Sequence, residues 1–174
     1  MAKYVCLLRG VNVGGVTMKM TELAQVVREL GYDGVRTVLA SGNVVFETDA
    51  PASDSKPAIE GALRQRFGYD AWVHVLETSE LARIVHEFPF ESEREGWHPY
   101  VIFLLDDEPR QALLALAPQL HPAMESLAPG NGVLYWTVQK GNTLDSAVGR
   151  ASNKPRYKAL MTTRNLRTLN KLLG

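Results

Sequence analysis

Short apolar runs and helical spacings take turns along this chain, and each switch marks an element. Residues 3–8 form an apolar run of strand length that empties into a glycine-rich loop. Leu23, Val26, Val27 and Leu30 then fall at i, i+3, i+4 and i+7, the spacing of an amphipathic helix, with Thr21 as its expected N-cap and Gly31 as its stop. Residues 35–40 and 44–48 predict two strands, and the Ser41-Gly42-Asn43 connection between them suits a hairpin. The Pro-, Ala-, Ser- and Asp-rich stretch 49–57 predicts a loop leading to a helix with Ile59, Leu63 and Phe67 inward and Gly68 past its end. Residues 71–76 supply a further strand. The order β-α-β-β-α-β is the split βαβ of a ferredoxin-like plait.

A second unit starts at Thr78. A helix carries Leu81, Ile84, Val85 and Phe88 inward and stops at Pro89, and residues 100–105 are nearly continuously apolar, as a buried strand is. Residues 110–117 predict a helix, 118–129 an irregular stretch with a short strand, 133–138 a strand and 144–151 a helix. Thr163 is expected to cap a final helix that turns Leu166, Leu169, Leu172 and Leu173 inward. This half reads β-α-β-β-α with extra helices, and its fourth strand is not visible. The fold class is therefore α+β: two ferredoxin-like (βαββαβ) plaits, residues 1–77 and 78–174, the second irregular and carrying an extra C-terminal helix.

With 174 residues, 45% of them apolar and 22% charged, the composition is that of an ordinary globular protein. Cys6 is the single cysteine, which excludes an internal disulfide framework and suits a reducing compartment. Residues 4–8 are too short for a signal-peptide core, and no later run reaches the length of a membrane span, so the expectation is a cytoplasmic protein without membrane attachment. Lys plus Arg equals Asp plus Glu, 19 each, yet the charges are segregated. Residues 77–108 hold nine acids against Arg83 and Arg94, whereas Arg150 is followed by Lys154, Arg156, Lys158, Arg164, Arg167 and Lys171 with no acid at all. A basic tail of this kind meets phosphate, neutralises the acidic segment or is simply solvated.

Candidate chemistry sits in three polar knots: Arg9, Asn12, Gly14 and Gly15 in the glycine loop, Ser41 and Asn43 in the hairpin connection, and Arg164, Asn165 and Thr168 at the head of the last helix. Glycine lets backbone approach a ligand closely, while Arg, Asn and Ser offer fixed donors and acceptors. The glycine loop is one step from a phosphate loop, but Val16 stands where that motif needs lysine. On the last helix Arg164, Thr168 and Lys171 line up at i, i+4 and i+7, with Asn165 beside them at the positive end of the helix dipole. Base stacking on a plait face has only Tyr4 and Phe46 to draw on. Cys6, between Val5 and Leu7, reads as a small buried hydrophobe. His74, His86, His98 and His121 lack metal-ligand spacing; His74 reads as a core or interface residue, and His98-Pro99 and His121-Pro122 read as turns. No carboxylate pair, base or nucleophile is identifiable, so no catalytic residue, metal ligand or cofactor is assigned.

The same knots carry a resemblance. Leu7-Leu8-Arg9-Gly10-Val11-Asn12-Val13-Gly14-Gly15, Met20 with Leu23, Ser41-Gly42-Asn43-Val44-Val45-Phe46, Pro89-Phe90, and Thr163-Arg164-Asn165 with Thr168 resemble the motifs of the bacterial domain-of-unknown-function family sixteen-ninety-seven. Val11 stands for the family's isoleucine, Val16 occupies a position often basic there, and Leu166 replaces a tryptophan. The resemblance implies tandem ferredoxin-like plaits and no established activity. Carried over by motif, it nominates Arg9, Asn12, Ser41, Asn43, Arg164, Asn165 and Thr168.

These observations lead to an expected binding protein in which the knots converge on a small anionic or phosphorylated ligand. The alternatives are RNA or single-stranded DNA binding through the basic C-terminal segment, an enzyme acting without a cofactor, and knots that only weld the two plaits together.

Overall fold

The computed structural model describes residues 1–9, 17–158 and 160–174. The chain divides into two units, Met1–Ala82 with Lys171–Gly174, and Arg83–Asn170.

In the first unit, β1 (Ala2–Leu8), α1 (Met20–Glu29), β2 (Asp33–Thr37), β3 (Asn43–Thr48), α2 (Ala52–Phe67) and β4 (Val73–Glu77) follow one another. The four strands pair antiparallel in the order β2-β3-β1-β4, the ferredoxin-like arrangement. β1 is central, and alternation along it sends Tyr4, Cys6 and Leu8 to one face. There they meet Val44, Phe46 and Val73 from the neighbouring strands, Leu23 and Val27 from α1, and Ile59 and Leu63 from α2. Each fully buried Leu or Ile contributes about 1.5–3 kcal/mol, so this one layer fixes both helices. Val5, Leu7 and Val45, on the opposite face, are fully buried as well.

Local signals shift several boundaries. α1 starts at Met20 with Lys19 as its N-cap, so Thr21 lies inside the helix rather than capping it. Gly31 does end it, at φ +90° with its N–H on the Arg28 carbonyl at 2.9 Å. α2 begins at Ala52, well before the loop expected through residue 57 runs out, and Pro57 is carried within it. Gly68 closes that helix in the left-handed conformation, φ +68°. β2 ends at Thr37 instead of running to residue 40, because Leu39 takes φ +60° and the Asn43 amide bridges the turn.

In the second unit, α3 (Thr78–His86) leads to β5 (Trp97–Leu104), α4 (Asp107–Leu114), a single 3-10 turn, β6 (Glu125–Pro129), β7 (Val133–Gln139), α5 (Ala147–Ser152), α6 (Pro155–Lys158), β8 (Met161–Asn165) and the extra C-terminal helix α7 (Leu166–Leu173). Only the start of α3 and the end of α7 fall in the first unit. The strand order β6-β7-β5-β8 repeats the ferredoxin-like order. Ile102, Leu134, Trp136, Val138 and Met161 form the helix-facing core with Leu113 of α4 and Val148 of α5.

β8 is the missing fourth strand. Met161-Thr162-Thr163-Arg164-Asn165 is polar and lacks apolar alternation, so it reads as a helix entrance. Its backbone nevertheless pairs with β5, Thr162 opposite Phe103 and Arg164 opposite Val101. β5 itself starts at Trp97 and takes in His98-Pro99, which the sequence suggests is a turn.

Candidate functional site

Two of the three polar knots meet at one end of the first sheet. Where β1 runs out, the Leu8 N–H donates to the Gly42 carbonyl at 2.8 Å on one side. On the other, the Arg9 N–H donates to the Trp72 carbonyl at 3.2 Å. The end of β1 is thus held between the hairpin turn and the entrance to β4, with Arg9 at their junction. Asn12, Gly14 and Gly15 lie outside the described residues.

Asn43 is fully buried, and both donors of its amide are engaged inside the turn: Nδ2 reaches the Val38 carbonyl at 2.8 Å and Ser41 Oγ at 2.7 Å. It shapes the turn, while Ser41 is exposed. Arg9 is half-buried; burial lowers its pKa, and the negative charge of Asp70 acts against that.

A group absent from the sequence-based candidates surrounds this junction. Trp72 donates from Nε1 to Asp70 at 3.1 Å, and the Arg64 guanidinium and Lys56 ammonium lie 5.3 and 5.9 Å from its ring centroid. Lys56, Glu60 and Arg64 recur every four residues on α2, so they form one row along the edge strand β4. Glu60 accepts from Lys56 at 2.7 Å and from the Val73 N–H at 3.1 Å; Lys56 also reaches the Val73 carbonyl and Arg64 the Ala71 carbonyl, each at 2.9 Å. These side chains satisfy the outward backbone groups of an edge strand. The signal in the sequence was that four-residue spacing.

The third knot lies in the second unit and takes another form. Thr163, Arg164 and Asn165 belong to β8, so Thr163 is not the N-cap; Asn165 takes that role, its Oδ1 accepting from the Arg167 N–H at 2.9 Å. Arg164, only 7% exposed, directs Nη1 to Thr162 Oγ1 at 2.6 Å and to the Thr163 carbonyl at 3.1 Å. As a strand residue it is lost from the expected helical row with Thr168 and Lys171, and Thr168 is itself buried.

Cys6 is fully buried in the helix-facing core of the first unit. Among the described residues no three His, Cys, Asp or Glu side chains gather as metal ligands, and no helix is long and apolar enough to cross a membrane.

The family described as "Protein of unknown function (DUF1697)" matches residues 1–135, which covers the glycine-loop and hairpin motifs. The chain belongs to this family. The fold of this DUF1697 member is also that of the conserved bacterial protein SP0830 from Streptococcus pneumoniae: TM-score 0.80 at 22% identity, over 99% of this chain and 97% of that one. No curated protein matches.

Proposed function

We propose that this DUF1697 protein binds a small anionic or phosphorylated ligand at the end of the first sheet, with Arg9 as the principal charge. One observation carries the reading: backbone bonds to Gly42 and Trp72 draw the Arg9 strand end, the Ser41 turn and the cation-flanked Trp72 to one place. Arg9 puts a half-buried positive charge at that place; burial disfavours the charge, the negative charge of Asp70 favours it, and an anionic ligand would favour it further. Asn12, Gly14 and Gly15 follow Arg9 closely in the sequence and are proposed with it as residue types that supply an amide and unhindered N–H groups. Asn43 acts as a positioning residue. The single buried cysteine agrees with a cytoplasmic setting.

A purely structural reading of the knots draws on Asn43, which donates within the hairpin turn, and Arg164, which donates within β8. Thermal unfolding separates the two readings. The protein is melted against nucleotides, sugar phosphates, carboxylates and short RNA, with Arg9→Ala alongside. A ligand at a hundred times its dissociation constant adds about 2.7 kcal/mol, roughly 5–10 °C for a chain of this size. The expected result is such a shift with an anion, lost in Arg9→Ala. No shift with any anion, or a shift the variant retains, overturns the proposal.

A further inference from the structure

The second unit carries an aromatic stack with one buried and one accessible end. On the helix-bearing face of its sheet, Tyr100 stacks on Trp136 with centroids 5.2 Å apart at 30°, and His98 leans on Tyr100 at 5.4 Å and 35°. Trp136 is the buried end, 3% exposed, and is anchored by its Nε1 donating to Glu125 at 3.1 Å. His98 is the accessible end, only half-buried. Burial raises the pKa of the Tyr100 phenol and the neighbouring Thr143 side chain acts against that, which places Thr143 beside the middle ring. Three rings in contact, the buried one anchored by its hydrogen bond to Glu125, form a stacking surface that loses little freedom when a fourth is added.

Polar groups converge on that accessible end from three elements. Asn165 is the partner of Tyr100 across β5 and β8, so both side chains leave the same face, and its Oδ1 holds the Arg167 N–H at the start of α7. Lys140 continues the β5–β7 ladder past the His98–Val138 pair, its N–H on the Gly96 carbonyl at 2.8 Å, and so projects from the face of His98. Lys140 and Arg167 are exposed, and both positive charges act on the imidazole. Burial first, and then those two charges, lower its pKa, which favours a neutral ring beside two cations.

We propose that this corner is a second ligand site, one that takes a planar aromatic ring bearing a phosphate, the chemistry of a nucleotide: the ring adds to the His98 end of the stack and the phosphate lies between Arg167 and Lys140. A neutral imidazole backed by Tyr100 offers a π-face to a base, and two flexible cations offer an anion the charge it seeks. The source of that chemistry is a free mononucleotide or one nucleotide of a strand. The site shares no residue with the Arg9 junction, so either stands without the other.

The experiment is a calorimetric titration of the intact protein with AMP, adenosine, ribose 5-phosphate and a four-nucleotide oligoadenylate, repeated on His98→Ala, Lys140→Ala, Arg167→Ala and Arg9→Ala. AMP or the oligonucleotide is expected to bind at least tenfold more tightly than adenosine or ribose 5-phosphate. Arg167→Ala and Lys140→Ala are each expected to weaken that binding about tenfold and His98→Ala likewise, and the preference for AMP or the oligonucleotide is expected to persist in Arg9→Ala, where the first site is removed. Tighter binding of AMP than of the oligonucleotide names the free nucleotide as the source, and the reverse names the strand. Lys140 and Arg167 are exposed, so their variants fold. The proposal is overturned if neither AMP nor the oligonucleotide binds at millimolar concentration, or if the binding is lost in Arg9→Ala and survives in Arg167→Ala. It is also overturned if, in the Arg9→Ala protein, ribose 5-phosphate binds as tightly as AMP. Proton NMR of His98 adds a readout that packing alone would not move: an anion beside the ring raises its pKa, and an AMP complex that leaves the pKa where it was refutes the assignment.

Discussion

The buried carboxylate of Glu125 accepts the indole N–H of Trp136 at 3.1 Å and, through the same side chain, holds the start of α5. Its two oxygens also take the N–H groups of Ala147 at 2.9 Å and Val148 at 3.3 Å. An anion at the first turn of a helix is favoured by the helix dipole, and three donors leave it well satisfied although it is 2% exposed. Glu125→Gln keeps the shape but turns an NH2 toward at least one N–H. The expected loss is about 1–3 kcal/mol, read as a lower urea midpoint with an unchanged slope.

Gly149 answers to a different constraint in the same region. A Cβ built on it would stand 1.8 Å from the Thr143 carbonyl oxygen, and backbone cannot step aside as a side chain can. The same loop presents Thr143 to Tyr100 and carries Ser146, whose hydroxyl caps α5 by accepting from the Gly149 N–H at 3.0 Å. Gly149→Ala is therefore expected to cost at least about 2 kcal/mol by overpacking. Gly141→Ala, with open space around its Cβ but φ +91°, should cost only about 1 kcal/mol. Equal melting temperatures for the two variants would contradict this.

His74 makes the first unit sensitive to acid. It shares a sheet face with Leu7, and burial first, then the charge of Lys56, push its pKa down to about 4. In the unfolded chain histidine titrates near 6.5. Between those values the unfolded state binds the additional proton, so stability is whole above about pH 6.5 and falls as the pH drops toward 4. The loss is on the order of 3 kcal/mol. Denaturant midpoints between pH 7.5 and 4.5 should show the slope, and His74→Gln should flatten it; an unchanged slope in the variant would assign the acid sensitivity elsewhere.

Tyr69 stands out among the described residues because its hydroxyl is buried without a hydrogen-bond partner. Burial, with Cys6 contributing, pushes its pKa up to about 12, so the phenol stays neutral at any ordinary pH. The ring packs against the core of the first unit. Tyr69→Phe removes a desolvated polar group and keeps the packing, so it should raise stability by up to about 1 kcal/mol. A destabilised variant would reveal a partner for that oxygen.

The first unit was legible because its sequence and its sheet obey the same periods. β1 is apolar on both faces and α1 shows its stripe at Leu23, Val26 and Val27, so topology placed Arg9 beside Ser41-Gly42-Asn43 once the order of elements was known. β8 was illegible because threonine and arginine face a buried sheet surface there. What stabilises that strand is cross-strand pairing with β5, which no local pattern encodes. Trp72, Lys56 and Arg64 escaped notice for a related reason. The α2 row is visible at four-residue spacing, but that it lies along the edge of β4 follows only from the tertiary fold.

Arg9 and Arg164 separate ligand binding from structural bracing. Arg164 is 7% exposed and closes on Thr162 and Thr163, so Arg164→Ala strands a buried hydroxyl and is expected to cost about 1–3 kcal/mol. Arg9 is only half-buried where Arg164 is 7% exposed, and alanine retains the backbone N–H by which Arg9 pairs with Trp72. Arg9→Ala should therefore cost less stability than Arg164→Ala while abolishing the ligand-induced thermal shift, the pattern of a group held in place for binding. If instead Arg9→Ala melts as early as Arg164→Ala and no anion shifts the parent protein, Arg9 and the hairpin turn only brace the sheet end.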